Sequence, residues 1–128
     1  MKHTNRPTEE QAVEFDGYVV KWQLALNLCD WRIERGSRAA KNAMADVGFD
    51  DTARLAVYRL GDFGAEDITP SSLDKTALHE MLHVFLHDLI STAQDPKSLD
   101  EDIQKQEHRV INLLENLLTK DFNGGSKP

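Results

Sequence analysis

A single cysteine, few aromatic side chains (7%) and no apolar run of membrane length narrow what this chain can be. Cys29 has no second thiol with which to close an internal disulfide, which points to a reducing compartment, and its neighbours Leu26 and Leu28 predict a buried sulfur. No stretch approaches the roughly 20 apolar residues that span a bilayer. Residues 1–7 lack the apolar core of a secretory signal, so the expectation is a cytoplasmic protein with no membrane partner. Basic residues are outnumbered, 15 against 22 acidic, and a formal charge of −7 argues against a nucleic-acid partner. No internal repeat or low-complexity run is present. A length of 128 residues with 40% apolar content suits one domain over residues 8–120, with a flexible lead at 1–7 and a disordered tail at 121–128, where Asn123-Gly124-Gly125-Ser126 dominates.

Against this plain background stands His79-Glu80-Met81-Leu82-His83. On a helix, two histidines four residues apart project from one face on consecutive turns, close enough to share one zinc ion through neutral imidazole nitrogens. Glu80, rotated by roughly 100°, would meet a metal-activated water rather than the metal and serve as its general base. Leu78, Leu82, Phe85 and Leu89 recur at helical spacing, and Ser71 with Asp74 forms a capping signature after Pro70. The motif therefore belongs to a helix from about Ser72 to about Ser91, with both imidazoles at the edge of the core.

Zinc needs a third protein ligand. Residues 98–118 form a second amphipathic helix, whose apolar stripe reads Ile103, Glu107, Val110, Leu114 and Leu118. A carboxylate on a core-facing stripe requires a cation or metal, so Glu107 is the leading candidate. His108 and Glu115 on the same helix are alternatives. His87 continues the four-residue series but lies a further turn along the rod, beyond the reach of one ion.

His79-Glu80-x-x-His83 followed by a glutamate on a second helix resembles the gluzincin branch of the zinc metallopeptidases. Leu26-Asn27-Leu28-Cys29-Asp30-Trp31-Arg32-Ile33 together with Leu78-His79-Glu80-Met81-Leu82-His83 is similar to short metallopeptidase-like proteins of phage and prophage genomes. That resemblance implies a zincin-like domain with His79, His83 and Glu107 as zinc ligands and Glu80 as base. It also implies a peptide or protein substrate. Positions 86 and 89 are leucine, so the glycine and third histidine of metzincins are missing. The helper tyrosine or histidine of larger gluzincins has no evident counterpart; Tyr18 and Tyr58 are the available phenols.

The rest of the chain supplies an α+β frame. Thr8 to Gln11 reads as a capping box that opens a helix to about Asn27, with Phe15, Val19, Trp22 and Leu26 on one face. Strands are predicted at Trp31–Glu34, Ala43–Phe49 and Ala53–Leu60, the last two as a hairpin across Asp50-Asp51-Thr52. Trp22 and Trp31 read as core anchors. Residues 61–67 read as a connector, with a flap over the site as the alternative. A three-stranded antiparallel or mixed sheet with helices on one face would offer an edge to an extended substrate, and the strand bearing Leu55, Val57 and Tyr58 is the expected edge. Two functions emerge: a zinc-dependent peptidase, or a zinc-binding interaction or regulatory protein that keeps the site with little or no turnover. A metal-free helical module, with the motif accidental, is the bland alternative.

Overall fold

The computed structural model describes residues 4–124, with side chains as far as Thr119. Helix α1 (Glu9–Ala25) is followed by strands β1 (Arg32–Arg35), β2 (Ala45–Asp50) and β3 (Leu55–Leu60), then helices α2 (Pro70–Gln94) and α3 (Asp100–Gly124). The chain falls into two compact units, residues 1–84 and 85–128, so that α2 contributes its first half to one and its second half to the other. Met1–His3, and Gly125–Pro128 of the expected tail, lie outside the described residues; Asp121–Gly124 complete α3.

Helix α1 begins as expected: the Thr8 hydroxyl accepts from the Gln11 amide while the Gln11 side chain accepts from the Thr8 amide. It ends earlier than its apolar period suggests. Asn27 takes a left-handed conformation (φ 55°), which lets the Leu28 amide donate to the Gln23 carbonyl and the Asn27 amide to the Leu24 carbonyl. This helix-terminating loop tucks Leu28 into the core, 2% exposed. The adjoining Cys29 is exposed, which corrects the buried thiol inferred from its neighbours: both flanking leucines turn inward and the sulfur turns out.

The sheet is mixed, in the order β1-β3-β2, with β1 parallel and β2 antiparallel to β3. Tyr58 and Ala56 are buried on one side of β3, and the Tyr58 ring lies 5.6 Å from Phe15 of α1. The opposite side is more polar, with Arg59 paired to Asp46 across the hairpin. Trp31 is buried against Phe49 and under the Arg54 guanidinium, the expected anchor. Trp22 is only half-buried and donates to Asp74 at 2.6 Å.

The central position of β3 overturns its expected role as a free edge, because both of its sides are used in strand pairing. The edges are β1 and β2. The Gly61 amide donates to the Met44 carbonyl, and antiparallel alternation then directs the backbone groups of Asp46, Gly48 and Asp50 toward β3. Those of Ala45, Val47 and Phe49 face outward.

Asn5, in the lead expected to be flexible, is tied to the connector before α2. Its amide donates to Asp62, its side-chain nitrogen donates to the carbonyls of Gly64 and Glu66, and its own carbonyl accepts from Phe63. Helix α2 then starts one residue before the predicted cap. Thr69 and Ser72 exchange reciprocal amide-to-hydroxyl bonds, with Pro70 in the first helical position. Asp74, expected to complete the cap, instead accepts from Lys21 and Trp22 and so ties α2 to α1.

Candidate functional site

Leu73, Ala77, Glu80, Met81 and Val84 of α2 are all buried, so its inward seam runs directly through the motif. Glu80 is 3% exposed and is the one buried charged residue among those described. No hydrogen bond to its carboxylate occurs among the described residues. No fully buried polar side-chain atom lacks a partner either, so the carboxylate oxygens are the part of Glu80 that still meets solvent. They do so in a cavity of about 410 Å³ lined by Ala43, Met44 and Ala45 at the start of β2, Glu66 of the connector, and Ser72, Lys75, Thr76, His79 and Glu80 of α2.

His79 and His83 flank Glu80 on the outer side. Both are exposed, which corrects the core-edge position expected for them: the inward seam passes one residue away, through Glu80. Their ring centroids lie 4.9 Å apart at 80°, and one ligand atom from each of His79, Glu80 and His83 lies within 4.8 Å of the others. Two donors bonded to one tetrahedral zinc stand roughly 3.3 Å apart, from bonds of about 2.0–2.1 Å. Exposed rings can close that difference by side-chain rotation alone. These three side chains could together hold a metal ion, or the two imidazoles could do so with the carboxylate beside it.

Burial pushes the Glu80 carboxyl above its ordinary value, and Asp46 pushes it further the same way; His83 and His79 pull it back. The net direction is upward. A carboxyl held above its ordinary value by burial, with a cleft in front of it, has the electrostatic character of a proton acceptor.

The other sequence candidates lie elsewhere. Glu107 is exposed on α3, because the half-buried and buried positions of that helix are Ile103, Gln106, Val110, Leu113 and Leu117, a seam turned by one residue from the predicted one. Leu114 and Leu118 of the predicted stripe are exposed. The buried-carboxylate argument made for Glu107 thus applies to Glu80 instead. His108 and Glu115 are likewise exposed on α3, and His87 is half-buried beside the Ser91 hydroxyl at 3.4 Å.

Neither tyrosine presents its phenol to the cleft. The Tyr58 hydroxyl donates to Asp16 at 2.6 Å, and burial together with that bond pushes its pKa up. The Tyr18 hydroxyl donates to Glu14 at 2.6 Å, a bond that raises its pKa as well.

Sequence reasoning missed Met44, Glu66, Lys75 and Thr76 as cleft residues. The connector bearing Glu66 was legible as a possible border of the site. Lys75 and Thr76 were findable too, since they stand four residues before His79 and Glu80 and so share their faces of α2. Met44 depended on the strand order.

Comparison of the chain with protein-family models, with curated proteins and with solved structures found no match. No helix among the described residues is long and apolar enough to cross a membrane.

Proposed function

We propose that this chain is a zinc-dependent metallopeptidase of minimal gluzincin type. His79 and His83 would hold the metal. Bound there, zinc supplies Lewis acidity and a water acidified toward neutral pH. With a metal bound there, Glu80 would be placed to take a proton from the attacking water and return it to the leaving amine. Its burial favours the protonated form, which makes the first transfer easier than it would be for a carboxyl in bulk water.

The observation that carries this reading is the buried, unbonded Glu80 carboxylate between two exposed imidazoles, in a cleft that begins at β2. The outward backbone groups of Ala45, Val47 and Phe49 offer an extended peptide the pairing that the notion of strand addition requires, on β2 rather than β3. The test is a peptide-library digest with zinc analysis of untagged protein. Glu80→Gln abolishes cleavage with about one zinc retained, and His83→Ala loses both. Native protein that carries no zinc at neutral pH overturns the reading.

One observation favours the second reading, a zinc-binding interaction or regulatory protein with little turnover. Both tyrosine hydroxyls are committed to carboxylates away from the cleft, so no phenol stands ready to stabilise an oxyanion. Stoichiometric zinc without hydrolysis of any library peptide selects it.

A further inference from the structure

A second cavity, of about 190 Å³, is lined by three arginines drawn from three stretches of chain: Arg6 before α1, Arg35 at the end of β1 and Arg38 in the connection to β2. In a chain with only 15 basic residues and a formal charge of −7, this convergence of like charge stands out against its surroundings. Gathered around one cavity, like charges repel unless an anion answers them.

Only one of the three is answered within the protein. Arg35 pairs with Asp16 and with Glu9, each at 3.1 Å, and these partners hold its pKa up. Glu9 lines the same cavity, and its charge is spent on Arg35. Arg6 and Arg38 make no ion pair or hydrogen bond among the described residues, which leaves two guanidiniums uncompensated. Thr8 and Ser37, two hydroxyl-bearing residues, line the same cavity. Thr8 already accepts from the Gln11 amide through its oxygen, so its own proton is left to give.

We propose that this cavity binds a small tetrahedral oxyanion, a phosphate group that is either free or carried as a monoester. Forked guanidiniums on separate segments, together with hydroxyl donors, suit several oxygens in different directions, which a flat carboxylate cannot present. The cavity admits one such group, and the negative charge of the whole chain opposes a long polyanion. The site is separate from the His79–Glu80–His83 cleft, shares no lining residue with it, and stands whether or not that cleft hydrolyses peptides.

The test is calorimetric titration of the full chain, stripped of metal by a chelator, with inorganic phosphate, glycerol phosphate and acetate at matched ionic strength. Expected are saturable one-to-one binding of phosphate, at least about tenfold weaker acetate, and a loss of about tenfold or more in both Arg38→Gln and Arg6→Gln. Circular dichroism of the variants should match that of the parent chain. Stronger binding of glycerol phosphate than of phosphate assigns the ligand as a monoester, and equal binding assigns the free ion. Phosphate heats that do not saturate, or Arg38→Gln and Arg6→Gln variants that bind phosphate as the parent does, overturn the proposal.

Discussion

Glu80 and Glu107 stand on two amphipathic helices of equal length, yet one is buried and the other exposed. The difference lies in how many seams each helix offers. On α3, apolar residues at 110, 111, 113, 114, 117 and 118 make two overlapping stripes about 100° apart, and spacing alone cannot choose between them. One stripe includes Glu107 and the other Gln106. The structure turns the second inward, which half-buries an amide and leaves the carboxylate in water, the less costly choice. On α2 no such escape exists: Glu80 sits among Leu73, Ala77, Met81 and Val84, all 1% exposed or less. A carboxylate on an inward seam is a functional signal only once the seam is known.

The largest effect that could break this contrast is catalytic. Glu80→Gln should lower peptide cleavage by about 10²–10⁴-fold, the range lost with a general base, with zinc content unchanged. Equal activity in the variant would remove Glu80 from the chemistry. His79→Ala should instead act on the metal and weaken zinc binding by at least about tenfold in a competition titration with a chromogenic chelator. Unchanged affinity there would remove the histidine pair from metal binding.

Next comes the wall of the cleft. A Cβ at Gly61 would lie 2.2 Å from the Ala43 carbonyl oxygen and 2.9 Å from that of Ala40, both backbone atoms. Gly61→Ala should therefore cost roughly 2–3 kcal/mol in urea unfolding and shift the segment at 43–45 that borders Glu80.

A smaller effect isolates the burial of Glu80 from its chemistry. Because its folded pKa is raised above the ordinary 4.5, the protonated form is favoured by the fold. The stability this lends is complete below pH 4.5 and is lost as pH rises through the raised value. Glu80→Gln in metal-free protein should gain roughly 1 kcal/mol over the parent at pH 7–8 and nothing at pH 4, whereas Glu107→Gln should be neutral at both. Thermal unfolding at the two pH values checks this.

The smallest effect concerns Asp74, whose carboxyl the Lys21 ammonium and the Trp22 indole hold below its ordinary range. That contribution is present at neutral pH and fades as pH falls through the depressed value, so Asp74→Asn should cost about 0.5–1 kcal/mol at pH 7 and less at pH 3.

The frame was legible where local chemistry decides it: the Thr8–Gln11 box, three strands near their predicted positions, a hairpin, and two long helices with the histidine motif on the first. The α+β class follows directly from that order. What failed needed contacts distant in sequence. The parallel insertion of β3 between β1 and β2 moved the free edge to β2, and no pattern within residues 53–60 could announce it. Cys29 faces solvent because Asn27 reverses the chain, a conformation that its sequence neighbours do not reveal. The pair His79–His83 was found from spacing alone, whereas its exposure was not, since the inward line of α2 passes through the residue between the motif's first histidine and Met81.

The unpaired side of β2 also bears on colloidal behaviour. A row of open amides and carbonyls at Ala45, Val47 and Phe49 is a template on which copies of the chain can stack into ribbons. Asp46 is spent on Arg59, so exposed Asp50 is the strand's own negative charge on that rim and acts as a gatekeeper against such growth. Asp50→Ala should therefore raise turbidity in concentrated samples.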